Sequence, residues 1–158
     1  MFKIFQINEA SFAEECNLRA GGKINLNFSC NDVVWSHLEE HLIATAATNG
    51  AVVIWNVNKN PRSKQETVFV EHKRTANKVN FHPSDPAVLI SGSQDGSIRT
   101  FDLRTRECSA TFASSQESIR DVQFSPHQPN HFAAVAENGR WVTFPVWRRS
   151  KNFCTMLF

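Results

Sequence analysis

The 158-residue chain has no apolar run long enough to span a membrane, and its opening, Met1-Phe2-Lys3-Ile4-Phe5-Gln6, is too polar for a secretory leader. Four cysteines, Cys16, Cys30, Cys108 and Cys154, are scattered and include no CxxC pair. That spacing tells against a zinc framework and reads as a reduced, intracellular protein. Neither sign of charge is in large excess, with 17 Lys and Arg against 15 Asp and Glu. A formal balance of +2 leaves no electrostatic footprint for nucleic acid or an anionic membrane surface. The glycosylation sequon at Asn27-Phe28-Ser29 is expected to be a chance match. What remains is a globular composition, 41% hydrophobic and 20% charged, of a size to bury one core.

What is present is a repeat. Val33/Trp35, Val79/Phe81 and Val122/Phe124 each pair a valine with an aromatic two residues on, and a glycine follows each aromatic by 15 residues, at Gly50, Gly96 and Gly139. Each glycine comes after an Asn or Asp (Asn49, Asp95, Asn138), and five residues later stands another aromatic, Trp55, Phe101 or Phe144. Periods of 46 and then 43 residues have the length and punctuation of a four-stranded propeller blade.

The local chemistry of each unit is β. Val79 and Phe81 alternate with Lys78 and Asn80, and breaker-rich turns such as His82-Pro83-Ser84-Asp85-Pro86 close the first strand. A second strand of small residues follows, Ala44–Ala47 or Ser91–Ser93, suited to close approach between sheets. The Asn-Gly and Asp-Gly pairs predict two-residue hairpin turns and supply the positive φ that such turns demand. We expect an all-β, incomplete propeller of about three blades, at 31–71, 77–112 and 119–158, with a strand near Phe153–Phe158 ending the third. Residues 1–20 read as the remnant of a preceding blade, with Phe2–Ile7 as its third strand; Ala10–Arg19 suits a fourth strand better than a short helix.

These residues resemble the WD-repeat β-propeller family. Glu71-His72 stands where the family has Gly-His, Phe101-Asp102 where it has Trp-Asp, and Trp55-Asn56 and Phe144-Pro145 are poorer copies. The strings EHKRTANKVNFHP (Glu71 to Pro83), LISGSQDG (Leu89 to Gly96), ESIRDVQFS (Glu117 to Ser125), LNFSCNDVVW (Leu26 to Trp35) and LIATAATNG (Leu42 to Gly50) are similar to propeller subunits of the GATOR complex, which regulates TOR-kinase signalling by amino acids at the lysosomal surface. Such subunits also carry a helical region and a zinc-binding RING-type module linked to ubiquitin transfer, neither of which is seen in this sequence. Pro145 stands where an acidic residue should close the third blade. The chain is therefore expected to be a truncated copy, an alternative product or an incomplete gene model.

His72, Ser91 and Asp95 have the composition of a catalytic triad, but Ser91 falls in mid-strand, with no nucleophile elbow and no oxyanion donors beside it. The resemblance implies instead a structural hydrogen-bond chain from the turn Asp to the His to the strand Ser, broken at Phe101 because phenylalanine has no donor. Leu26 and Ser115 occupy the His72 position in the flanking units, so only the middle blade should hold the network. His82, before Pro83, reads as a turn-capping or exposed residue. The stretch Asn58–Gln65 reads as an exposed loop, without the interleaved aromatics of a nucleic-acid site, and Arg148-Arg149-Ser150-Lys151 as a linker. Lys73, Arg74 and Arg120 fall on loops at the His72 end, where propellers bind peptides or partner subunits; ordinary solvated charge is the alternative.

No catalytic residue, metal site or cofactor is expected. The leading expectation is a non-enzymatic scaffold whose partners are other protein subunits of a GATOR-like complex, among them another WD-repeat protein, with no nucleic acid and no membrane insertion. Its location would be cytoplasmic, at the lysosomal membrane surface through the complex. The alternatives are the partner-binding part of a ubiquitin ligase subunit and a propeller of a chromatin or RNA assembly.

Overall fold

The computed structural model describes residues 3–8, 11–18, 29–60, 62–113 and 117–145. These form thirteen strands and, among the described residues, no helix. A hairpin of β1 (Lys3–Asn8) and β2 (Ser11–Asn17) precedes two four-stranded antiparallel sheets. The first contains β3 (Cys30–Trp35), β4 (Leu42–Ala47), β5 (Val52–Asn56) and β6 (Gln65–Phe69) in that order. The second contains β7 (Ala76–Phe81), β8 (Val88–Ser93), β9 (Ser97–Asp102) and β10 (Glu107–Ala113). A third sheet has three described strands, β11 (Ile119–Phe124), β12 (His131–Ala136) and β13 (Trp141–Pro145). The region expected to hold its fourth strand, Phe153–Phe158, lies outside the described residues, as does Arg148–Lys151. Residues 11–17 are strand, as the register suggested.

Successive sheets stack face to face, with β3, β7 and β11 side by side. A strand between two neighbours must be apolar on both faces, and β4 is buried at all six positions. Its even-numbered residues Leu42, Ala44 and Ala46 join Val79, Phe81 and Phe101 of the next sheet, while Ile43 and Ala47 join Trp55 and Leu18 on the other side. A third core unites Ile90 and Ile98 with Ile119, Val122 and Phe132. The small second-strand residues set this spacing. A Cβ on Gly92 would fall 2.5 Å from Cγ2 of Ile119, so the second and third sheets are as close there as a glycine permits.

The three hairpins differ from the expected two-residue turns. Only the glycines have positive φ (84°, 78° and 78° at Gly50, Gly96 and Gly139); the Asn or Asp before each does not. Each loop has three residues, closed by a bond from the glycine N–H to the carbonyl of Ala47, Ser93 or Ala136. This is a tight turn followed by a left-handed glycine. The Asn or Asp is needed for its side chain: Asn49, Asp95 and Asn138 each accept, on Oδ1, the N–H two residues ahead, at 2.9–3.0 Å.

Candidate functional site

The loop between β6 and β7 carries His72 inward, its side chain fully buried. Nε2 lies 2.6 Å from Ser91 Oγ on β8, and Nδ1 lies 3.1 Å from Ser97 Oγ and 3.4 Å from Asp95 Oδ2. Asp95 Oδ1 accepts from both the hydroxyl and the N–H of Ser97, and its Oδ2 accepts the N–H of Lys73 at 2.8 Å. The structure thus brings His72, Ser91 and Asp95 together and adds Ser97. Ser97 begins β9 two residues after the turn Asp, a position whose hydroxyl could have been flagged from the sequence.

Burial pushes the His72 pKa from 6.5 to about 4; the Asp95 charge opposes this and Arg99 adds to it. Burial also works on Asp95, in the upward direction, but the hydrogen bonds from Ser97 and from the Lys73 N–H outweigh it and hold the carboxyl below its usual range. Near neutral pH the histidine is therefore uncharged beside an ionised Asp95. Because Ser97 spends its proton on Asp95, it must accept from His72 Nδ1–H. That leaves Nε2 to accept from the Ser91 hydroxyl. Ser91 has no solvent exposure in the middle of β8, so no substrate carbonyl can reach it. The constellation can hold a loop to a sheet; it has no access for nucleophilic chemistry.

The first sheet holds the other half of the same pattern. Thr45 and Trp55 stand 46 residues before Ser91 and Phe101, and Trp55 Nε1–H donates to Thr45 Oγ1 at 3.0 Å with both side chains buried. In the second sheet Phe101 supplies no such donor and instead meets the His72 ring edge-on, 6.4 Å between centroids. The sequence reading missed Thr45, although the period pointed to it. Leu26 and Ser115 lie outside the described residues.

Further cross-sheet bonds recur at the same period. Asn31 Nδ2 donates to the Ala76 carbonyl at 3.2 Å, and Asn77 Nδ2 to the Ile119 carbonyl at 2.7 Å. Asp32 reaches the Val79 N–H at 3.0 Å and Lys78 Nζ at 3.2 Å. His82 is buried and ties two turns together, with Nε2 donating to the Pro129 carbonyl at 2.8 Å and Nδ1 accepting the Ser84 N–H at 3.3 Å. It caps a turn, as expected, but from inside.

Lys73 and Arg74 are exposed, and no ion pair neutralises either among the described residues. Their backbone is fixed: besides the Lys73 N–H bond, the Arg74 carbonyl accepts from Ser93 Oγ at 3.3 Å. Arg120 is not free, since its guanidinium pairs with Glu137. It stands on β11, 43 residues after Asn77, and so is not part of the Lys73–Arg74 loop. Other cations are also paired, Arg99 with Glu71, Lys78 with Asp32 and Arg104 with Asp85.

Stacked antiparallel sheets, three glycine-closed hairpins in register and a loop histidine bonded to a second-strand serine define an arc of WD-repeat propeller blades. Residues 63–102 match the family described as WD domain, G-beta repeat. That match runs from the outer strand of one sheet through the inner three of the next. Among particular proteins, the chain is 56% identical over 139 residues to GATOR2 complex protein WDR24 of Danio rerio, covering 88% of this chain and 18% of the relative. It is 49% identical over all 158 residues to the proteins of the same name from Xenopus laevis and Homo sapiens, covering 20% of each. The chain spans about a fifth of the length of the curated relatives it matches.

Proposed function

We propose that this chain is a non-enzymatic interaction scaffold, acting as a propeller segment within a GATOR2-type complex that adjusts TOR-kinase signalling to amino acids. The observation that carries the reading is the combination of half-identical relatives named for that complex with a triad-like cluster consumed in holding a loop. Its partners would be other protein subunits, among them a further WD-repeat protein, and its place the cytoplasm at the lysosomal surface. Lys73 and Arg74 are the proposed contact residues, because they are charges with no ion-pair partner among the described residues, on a backbone already ordered before binding, which lowers the entropy cost of association. Arg120, already paired with Glu137, would act at the rim of the same face.

The test is co-purification of the tagged chain with GATOR2 subunits from cells, comparing the parent with a Lys73→Glu/Arg74→Glu variant. The reading expects the subunits to be recovered with the parent and reduced several-fold with the variant, at unchanged chain abundance. Recovery of no GATOR2 subunit by either chain would refute the assignment to the complex. Equal recovery would refute the role of the two cations.

A further inference from the structure

The edge of the sheets opposite Lys73 and Arg74 carries a different feature. There the β3–β4 turn and the loop after β5 meet the first hairpin around an open groove of about 660 Å³. Its apolar surface comes from Ile4, Trp35, Leu38 and Val57. Trp35, at the end of β3, is 45% exposed and Leu38, on the turn, 47%, and with Ile4 and Val57 they are grouped, not scattered. The indole is fixed in place, because Nε1–H donates to the Glu40 carbonyl at 2.6 Å. The turn beneath it is fixed as well. Leu42 N–H bonds the Glu39 carbonyl at 2.9 Å, Glu39 N–H bonds Ser36 Oγ at 3.1 Å, and Val57 N–H bonds the His41 carbonyl at 2.9 Å.

The rim is acidic. Glu15 approaches from the hairpin, and Glu39 and Glu40 from the turn. Glu39 lies 3.5 Å from His41, while Glu15 and Glu40 have no ion-pair partner among the described residues. Three carboxylates, Glu15, Glu39 and Glu40, line the groove against one lysine, Lys64, so negative charge is in excess there. An aromatic face anchored by a hydrogen bond, beside carboxylates with no ion-pair partner among the described residues, matches one chemistry above others. A guanidinium can stack on the ring through its plane and meet a carboxylate with its forked donors. Neighbouring aliphatic side chains would cover Leu38 and Val57.

We infer that this groove docks an arginine-containing, aliphatic segment of a partner protein, at a site separate from the Lys73–Arg74 face. The test titrates the 158-residue chain against two labelled synthetic peptides of equal length, one alternating Arg and Leu, the other alternating Glu and Leu, read by fluorescence anisotropy. The inference expects the Arg peptide to bind, the Glu peptide not to bind, and added salt to weaken the complex. Glu15→Gln/Glu40→Gln should weaken binding by roughly fivefold to tenfold, since each exposed pair contributes up to about a fivefold factor. Trp35→Leu should weaken it at least as much, and Lys73→Glu/Arg74→Glu should leave it unchanged. Glu15 and Glu40 are exposed, so the double glutamine variant tests recognition without threatening the fold. No binding of the Arg peptide, equal binding of both peptides, or undiminished binding by the glutamine variant would overturn the inference. So would a dimer that Trp35→Leu dissociates in sedimentation without any peptide binding, which would assign the groove to a second copy of the chain.

Discussion

Acidification should loosen this protein through a single buried ring. His72 is held neutral with a pKa of about 4, whereas in the unfolded chain it titrates near 6.5. A group depressed in the folded state contributes stability that is complete above the unfolded pKa and is lost as pH falls through the window down to the folded value. For His72 that window runs from 6.5 to about 4. At about 1.4 kcal/mol per pH unit it is worth about 3 kcal/mol when fully crossed. Asp95, also depressed, adds loss in the same direction at the acid end. The perturbation is His72→Gln, whose amide can accept from Ser91 and donate toward Ser97 without titrating. It should cost about 1–2 kcal/mol at pH 7, the scale of one imperfect buried hydrogen bond. It should also remove most of the extra slope between pH 6.5 and 4. In urea unfolding followed by tryptophan fluorescence at low protein concentration, the parent midpoint should fall by on the order of 1.5 M more than the variant midpoint across that range. Parallel pH profiles for the two chains would refute the account of a neutral, buried His72.

Three further outcomes follow from the packing. Gly92→Ala should destabilise by about 1–3 kcal/mol because its Cβ would overlap Ile119, and the cost should shrink when combined with Ile119→Ala, measured as a double-mutant cycle. A fluorophosphonate probe should fail to label Ser91 in the folded chain by mass spectrometry, since the hydroxyl is inaccessible and bonded to His72. The hairpin face bearing Phe5, Ile7 at 73% exposure and Phe12 at 75% should promote self-association, and Ile7→Thr/Phe12→Lys should reduce the apparent mass in light scattering without lowering the unfolding midpoint.

The architecture was legible because its signals are periodic. The fixed distance from Trp35, Phe81 and Phe124 to the hairpin glycines forced the strands into register, and the small residues of β4 announced close approach between neighbouring sheets. Turn type was not legible. Asn-Gly is compatible with both a two-residue and a three-residue loop, and only the φ of Asn49 and its acceptance of the Ala51 N–H separate them. Of the site, His72, Ser91 and Asp95 could be named because the family resemblance carries those positions. Ser97 was missed because a hydroxyl at a strand start has many other uses. Asn31 and Asn77 were missed although they sit one period apart. Their bonds run between sheets to backbone carbonyls, and the identity of a carbonyl's owner leaves no trace in the sequence. Arg120 was grouped with Lys73 and Arg74 by loop position alone, and its pairing with Glu137 came from a neighbouring hairpin that position does not reveal.

The loop from His72 to Thr75 belongs mechanically to two blades at once. Forward, it is bolted to its own blade through Asp95 and Ser93. Backward, Thr75 Oγ1 donates to the Thr48 carbonyl at 2.9 Å, and the His72 and Arg74 carbonyls press so closely on Gly50 that a Cβ there would lie 2.5 and 2.7 Å away. A pull on Lys73 or Arg74 would therefore be shared between the two blades through these bonds and not taken up by the loop alone. A partner that gripped those two side chains would act on the angle between the two blades, at the point where Gly50 marks their closest approach.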